Sequence, residues 1–262
     1  MFASPGAIAM QVGPLAIRWY GLLIATAVLL GTLLAQREAR RRGEDPEQLV
    51  NVGVIAVIAA LVGARLYYVL FNWDYYGAYP WKIVAIWEGG LAIHGGLLAG
   101  VFVGGIWAWR RKLPTITYLD IVASILPLGQ AIGRWGNFFN QEAFGTPTDL
   151  PWKLFIDPAH RPPHLAEYTY FHPTFLYESV WDLAVFVVLY GLLRKRLEST
   201  PGALFLSYLG LYSFGRFFVE GLRIDSLMLG PFRVAQVVSV LLIVCSVAGL
   251  WRLLRHQGRG AP

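Results

Sequence analysis

Charge is what this chain has least of. Charged residues make up 15% of its 262 positions, against 56% hydrophobic, whereas soluble domains carry about a quarter. Mean hydropathy is +0.51. This composition excludes an ordinary water-exposed globule and points to a membrane protein. Cysteine is nearly absent too. The single Cys245 excludes an internal disulfide and a thiolate-ligated metal site, and within an apolar run it reads as a small core residue. The first residues, "MFASPGAIAMQVGPLAIRWYG", have no basic leader before an apolar core, so no cleaved signal peptide is expected. No P-loop, zinc motif or dinucleotide fingerprint occurs. His160 and His164 have H-x3-H spacing but no evident third ligand. The net charge of +6 is not gathered on one amphipathic face, which argues against nucleic acid as a partner. We expect no cofactor and no metal.

What is abundant is long apolar runs. A helix needs about 20 mostly apolar residues to cross the hydrocarbon core, and seven segments qualify: 16–36, 49–71, 90–109, 117–138, 173–193, 203–221 and 232–254. The expected fold is an all-α integral membrane protein with seven transmembrane helices, a single polytopic domain over 1–262. Gly96, Gly100 and Gly104 at i, i+4, i+8 form a small-residue stripe that lets a neighbouring helix approach. Pro173 suits the first turn of the fifth span. The segments "REARRRGED", "RRK", "RKR" and "RLLRHQGR" hold 13 of the 22 Lys and Arg residues, and seven spans put all four on one side. The positive-inside rule makes that side cytoplasmic, leaving the N-terminus outside and the C-terminus inside. Residues 139–172, with Pro spacing unsuited to long regular elements, then form a small extracytoplasmic head between spans four and five.

Ionisable residues inside spans are costly, so each is a site hypothesis with a partner to find. Most fall at one depth, in the outer leaflet: Arg18 and Tyr20, Arg65 and Tyr68, His94 with Glu88 before it, Arg134 and Asn137, then His172, Tyr177 and Glu178, and finally Arg216, Glu220 and Arg223. Arg18 and Tyr20 also read as interfacial anchors. Asp120 and Asp182 lie deeper and read as hydrogen-bonding links between helices. Arg134, Asn137 and Gln141 fall at i, i+3, i+7, and Arg216, Glu220 and Arg223 at i, i+4, i+7, each on one helical face. Arg216 and Glu220 are spaced to pair. Counting Arg65, Arg134, Arg216 and Arg223 against Glu178 and Glu220 leaves a positive cluster. Guanidinium forks match phosphate oxygens bidentately, so the cluster suits an anionic lipid headgroup.

The stretch "GRWGNFFNQEAFG" at 133–145 resembles the signature of the prolipoprotein diacylglyceryl transferases of bacteria. "IRWYGLL" at 17–23, "GARLYYVLF" at 63–71, "AIHGGLLAG" at 92–100, "HPTFLYES" at 172–179 and "GRFFVEGLR" at 215–223 agree, in order, over nearly the whole chain. The head segment 146–171 matches least. The resemblance implies a transferase that moves the diacylglyceryl group of phosphatidylglycerol to the lipobox cysteine thiol of a prolipoprotein signal peptide. A thioether forms and glycerol phosphate leaves. It also implies the bacterial cytoplasmic (inner) membrane, contact with membrane lipids, and a site in the outer leaflet. Carried over by motif, it marks His94, Arg134, Asn137, Glu142, Gly145, Arg216 and Glu220 as functional, with Tyr20 a further candidate.

On that reading His94, Arg134, Arg216, Glu220 and Glu142 are the catalytic candidates. Tyr20, Asn137, Asn140, Gly145, Arg65, His172, Tyr177, Glu178 and Arg223 are the substrate-binding ones. Arg134 and Arg216 face the phosphate, Glu220 orients Arg216, and Asn137 holds the headgroup or a phosphate oxygen. His94 is the leading general base; Glu142 is the alternative, or an anchor for an arginine. A transporter for anionic lipids would use the same arginines, but the polar residues stop in the outer leaflet instead of forming a path across. A metal-dependent alcohol phosphotransferase lacks its aspartate cluster, and an intramembrane serine protease lacks a motif around Ser179 or Ser213.

Overall fold

The computed structural model describes residues 2–13, 15–86 and 89–257. Glu88 and the last residues of the closing basic segment fall outside them. The chain is mostly helical, and helices form over all seven expected segments: α1 Trp19–Arg41, α2 Pro46–Phe71, α3 Trp73–Ala78 (a short addition), α4 Ile93–Arg110, α5 Thr115–Asn140, α6 Thr174–Phe186, α7 Ala203–Leu222 and α8 Val234–Gln257. The α6 helix continues as a π-helical stretch over Val187–Leu193. Among the described residues five helical segments are long and apolar enough to cross a membrane: α1, α2, α5, α6 with its extension, and α8. Their outward faces carry apolar side chains such as Val57, Leu70, Leu241 and Val247, each more than half exposed, as a lipid-facing surface requires. Cys245, expected in the core, lies on an exposed face of α8.

Two compact units make up the chain, Ala35–Tyr118 and the remainder, Met1–Leu34 with Leu119–Pro262. In the first, α2 packs against α4 through the glycine stripe. A Cβ built on Gly96 or Gly100 would stand 3.2 or 3.1 Å from the carbonyl oxygen of Ala60 or Ala56. The approach is closer still at Gly63 and Gly95, where a Cβ would lie 2.6 and 2.4 Å from the facing carbonyl oxygen. Any larger residue there forces the helices apart. Asp45 caps α2 by accepting from the Glu47 and Gln48 amides at 2.8 and 3.4 Å, with Pro46 at the first helical position, where its missing N–H is not needed. The basic turn before it is tied down by Glu38, fully buried and 2.7 and 3.0 Å from Arg41 and Arg42.

In the second unit the chain opens with strands instead of a helix. β1 (Phe2–Ala3) runs parallel to β4 (Leu154–Phe155), which pairs antiparallel with β5 (Tyr170–Phe171). A hairpin of β2 (Ile8–Val12) and β3 (Leu15–Arg18) delivers the chain to Trp19. The first helix therefore begins at Trp19, later than position 16, and Arg18 ends a strand. The segment between α5 and α6 holds only β4, β5 and single 3-10 turns at Pro158–His160 and Pro163–Leu165, as its prolines dictate. Its core is Phe138, Phe144, Leu154, Ile156, Phe171 and Phe175. After α7, β6 (Met228–Leu229) and β7 (Phe232–Arg233) form a hairpin leading into α8.

The two deep aspartates part company. Asp120 does link helices: its oxygens accept from the Gly202 and Phe205 amides at 2.7 and 2.8 Å, satisfying donors at the start of α7 that the helix cannot satisfy itself. Asp182 does not. It is 2% exposed, and its Oδ2 has no hydrogen-bond partner among the described residues. Asp120→Ala should strip the α7 N-terminus of both acceptors and lower unfolding stability by about 2–4 kcal/mol. Thermal unfolding in detergent measures this; an unchanged midpoint would contradict the capping role.

Candidate active site

The α5 helix stops at Asn140 because the next residues leave the helical region: Gln141 and Ala143 take the left-handed conformation, at φ 53° and 56°, a rare state for residues with a Cβ. Gln141 therefore does not share a helical face with Arg134 and Asn137, as its spacing suggested. Its side chain reaches into the head, where its Oε1 accepts from the Asp157 amide at 2.7 Å and its amide donates to the Asp157 carboxylate. Glu142 sits exposed on the turn and accepts from the side chains of Asn137 and Asn140 at 3.0 and 3.3 Å. These three residues close the turn on one another, and no arginine contacts Glu142 among the described residues.

Gly145 is where α5, α6 and α7 meet through backbone. Its amide donates to the His172 carbonyl at 3.0 Å, and it forms an isolated β-bridge with Arg223. A Cβ there would stand 2.8 Å from the His172 Cβ and 3.0 Å from the Leu222 carbonyl, so the position has room only for glycine. Thr146 extends the tie by donating to the Leu222 carbonyl at 2.8 Å. Tyr20 lays its ring against Gly136, where a Cβ would be 2.2 Å away, while remaining 43% exposed.

Held by these contacts, α5, α6 and α7 bring their charges together. Glu178, 4% exposed, bridges two arginines. Its Oε2 is 2.5 Å from Arg134 Nε, and its Oε1 is 2.5 Å from Arg216 Nη1. Arg216 Nη2 is in turn 2.5 Å from Glu220 Oε2, the i, i+4 pair expected from spacing. Arg223 stands 3.6 Å from Glu178 through Nη1 and donates from Nε and Nη2 to both oxygens of Asp225, at 2.9 and 2.7 Å. The bidentate Arg223 outweighs the partial burial of Asp225, which pushes its carboxyl up, and holds it below the usual aspartate range. Arg134 keeps both terminal nitrogens without a partner among the described residues.

This arrangement corrects the sequence count of charge. Three arginines face three carboxylates, Glu178, Glu220 and Asp225, so the cluster is not an open positive pocket. Asp225 escaped notice because it follows the last motif, although its place two residues after Arg223 in a turn is a local signal for a pair. Arg233 was missed as well. Its Nη1 donates to the backbone carbonyls of Glu220 and Arg223 and to Ser226 Oγ, the last two at 2.6 and 2.9 Å, fastening the end of α7.

Arg65 has a different task. Nε donates to the Ile83 carbonyl, Nη1 to those of Gly89 and Gly90, and Nη2 to those of Lys82 and Ala85, at 2.5–3.2 Å. A guanidinium has five N–H donors, and all five hold this loop, so none remains for a phosphate. His94 stands exposed on the first turn of α4, its ring 6.3 Å from that of Tyr67. His172 meets the Tyr177 hydroxyl through Nδ1 at 3.2 Å, and Tyr177 accepts from Trp152 Nε1 at 2.9 Å.

Partial burial pushes the His172 imidazole below its ordinary pKa. The folded chain then keeps it neutral at pH values where the unfolded chain is already protonated. Its contribution to stability is complete above about pH 6.5 and declines as pH falls through the folded value. Thermal unfolding of His172→Gln should lose less stability than the parent chain on going from about pH 7 to pH 5; parallel curves would contradict this.

Comparison with known proteins places this geometry in context. The family model described as prolipoprotein diacylglyceryl transferase matches residues 7–252. Proteins named phosphatidylglycerol–prolipoprotein diacylglyceryl transferase are similar over nearly full length. The one from Trichormus variabilis is 54% identical, with 98% of this chain and 93% of that protein aligned. A Nostoc species has one 53% identical with the same coverage, and that of Thermosynechococcus vestitus is 52% identical, with 100% and 97% aligned. A family match over residues 7–252, with relatives more than half identical over nearly the full length, leaves one assignment: the chain belongs to the prolipoprotein diacylglyceryl transferase family.

Proposed function

We propose that this chain transfers the diacylglyceryl group of phosphatidylglycerol to the lipobox cysteine thiol of prolipoproteins, releasing glycerol phosphate. It does so from the outer leaflet of the bacterial cytoplasmic membrane. Seven spans carry the site, with the N-terminus outside, and residues 139–172 form an extracytoplasmic head. The five apolar helices long enough to cross, helices of 18 and 20 residues over the other two segments, and the gathering of Lys and Arg in alternate loops support this topology.

The observation that carries the chemistry is the aimed, half-engaged guanidinium of Arg134. Glu178 Oε2 stands 2.5 Å from its Nε as an ion pair, while the two terminal nitrogens remain for a phosphate, which they match bidentately. The thiol sulfur attacks the glycerol carbon that bears the phosphate. The S–C bond forms as the C–O bond breaks, and the electron pair leaves on the phosphate oxygen, turning a diester into a monoester with added negative charge. Arg134 and Arg216 stabilise that charge where it develops, the largest kind of catalytic term in a dry site. Glu178 and Glu220 keep both guanidiniums in register. His94 takes the thiol proton, because a free thiol is only a few per cent thiolate near neutrality.

Asn137 and Asn140 are tied to Glu142, so this trio sets the mouth of the site. Tyr20, His172, Tyr177, Gly145 and Arg223 shape its walls. An apolar groove of about 390 Å³ along α6, lined by Trp152, Leu176, Tyr177, Val180, Trp181 and Ala184, suits an acyl chain. Trp181 also borders the ion cluster, which would place chain and headgroup side by side.

A paired comparison tests these roles. Arg134→Lys keeps the charge but loses the fork, and transfer should fall by about 100-fold or more. His94→Gln should flatten the rise of kcat/KM with pH around neutrality. Near-normal transfer by the lysine variant, or an unaltered pH profile for the glutamine variant, would refute the corresponding assignment.

A further inference from the structure

Asp182 is the one buried charged-type side chain in this cluster that neither the motifs nor the ion pairs account for. It lies one helical turn beyond Glu178 on α6, so both carboxyl groups share a face. The small cavity it borders is shared with Arg134, Glu178, Tyr212 and Arg216. Space there is no more than a water molecule needs, so nothing the size of a headgroup enters beneath the arginines. Asp182 is 2% exposed, and its Oδ2 is unpartnered among the described residues. It is not a helix cap like Asp120, and among the described residues no donor meets its Oδ2. Such a group carries a desolvation penalty with no hydrogen bond at Oδ2 to offset it, and the cavity it borders is lined by two guanidiniums, of Arg134 and Arg216, besides Glu178 and Tyr212.

The carboxylates already paired are spread unevenly over those guanidiniums. Glu178 is shared between Arg134 and Arg216 with Arg223 at 3.6 Å, Glu220 serves Arg216, and Asp225 serves Arg223. Arg134 therefore has only a share of one carboxylate. On the proposed reaction the substrate is a monoanion and the departing glycerol phosphate carries more negative charge. A site too positive would hold both the bound lipid and, more strongly, the product.

We infer that Asp182 is a positioning residue that sets the charge of the phosphate site from below, weakening its grip on the released phosphate monoester so that product leaves. It touches neither substrate nor the reacting atoms. It acts through Arg134 and Arg216, by adding a carboxyl group beside guanidiniums of which Arg134 has only a share of Glu178. This inference rests on the transferase reading, and it assigns to that site a second task, turnover, beside transition-state stabilisation.

Steady-state kinetics of Asp182→Asn test it, with phosphatidylglycerol varied and glycerol phosphate added as product inhibitor. A single charge a few ångströms from the phosphate is worth about tenfold or more in anion affinity. KM and the inhibition constant of glycerol phosphate should therefore both fall about tenfold while kcat drops. Asp182→Glu, which restores the charge, should bring both constants back towards those of the parent chain. If the asparagine variant does not accumulate, Asp182→Ser, smaller and equally uncharged, is read in the same way. A residue that only props the helices would lower kcat without tightening either constant. Unchanged or raised constants, or equal effects of the glutamate and asparagine variants, would overturn the inference. Failure of the parent chain to transfer at all would instead remove the reaction on which it rests.

Discussion

One carboxylate holding two guanidiniums is the constraint on which this site depends. Glu178 is buried, and each of its oxygens meets a different arginine from a different helix. Isolated, any of these charges would be prohibitively costly in an apolar setting. Bridged, they become a rigid unit whose geometry is fixed by three helix positions. Removing Glu178 would leave Arg134 without a carboxylate and Arg216 with Glu220 alone, a larger penalty than the loss of an ordinary surface pair. The price of assembling the unit is met by the backbone junction at Gly145, where only a glycine lets the α5–α6 connection lie against the end of α7.

The same bridge explains how a charge-neutral cluster can still favour a phosphate. Arg134, paired at Nε, and Arg216, paired once at each terminal nitrogen, are held without all five donors being used, so an incoming anion meets a preorganised fork and not a mobile side chain. Preorganisation of this kind serves catalysis better than raw positive charge, because excess charge binds substrate and product as strongly as it stabilises the transition state. Arg233, Asp225 and Asp182 then act as adjusters around the bridge, the first through backbone carbonyls, the second by occupying Arg223, the third across the cavity.

Much of this was legible in the sequence wherever the cause was local. Apolar runs gave the helices, the glycine stripe gave the close approach of a neighbour to α4 without saying that it is α2, and i, i+4 spacing gave Arg216–Glu220. Partners distant in sequence were not legible: nothing in "HPTFLYES" says that Glu178 will meet Arg134 on another helix, or that Asp182 will be left unpaired while Asp120 is used as a cap. Gln141 misled because helical phase was extended past the residue where the backbone turns left-handed. Arg65 misled because depth alone cannot tell an arginine that faces a headgroup from one that closes a loop with all five donors. The strands before Trp19 were hidden because alternation over so few residues resembles the start of an apolar run. Family resemblance supplied the chemistry that no spacing could, and the geometry then sorted which marked residues touch one another.

The central claim is that the bridged arginines receive the phosphate that phosphatidylglycerol gives up when a thiol takes its diacylglyceryl group. The most direct measurement is made on purified protein with phosphatidylglycerol and a lipobox peptide bearing a single cysteine, following peptide mass and free glycerol phosphate together. The account predicts a thioether-modified peptide and glycerol phosphate formed in equal amounts, and neither when the cysteine is replaced by serine. Glycerol phosphate released without peptide modification, or an unmodified peptide with intact lipid, would contradict it.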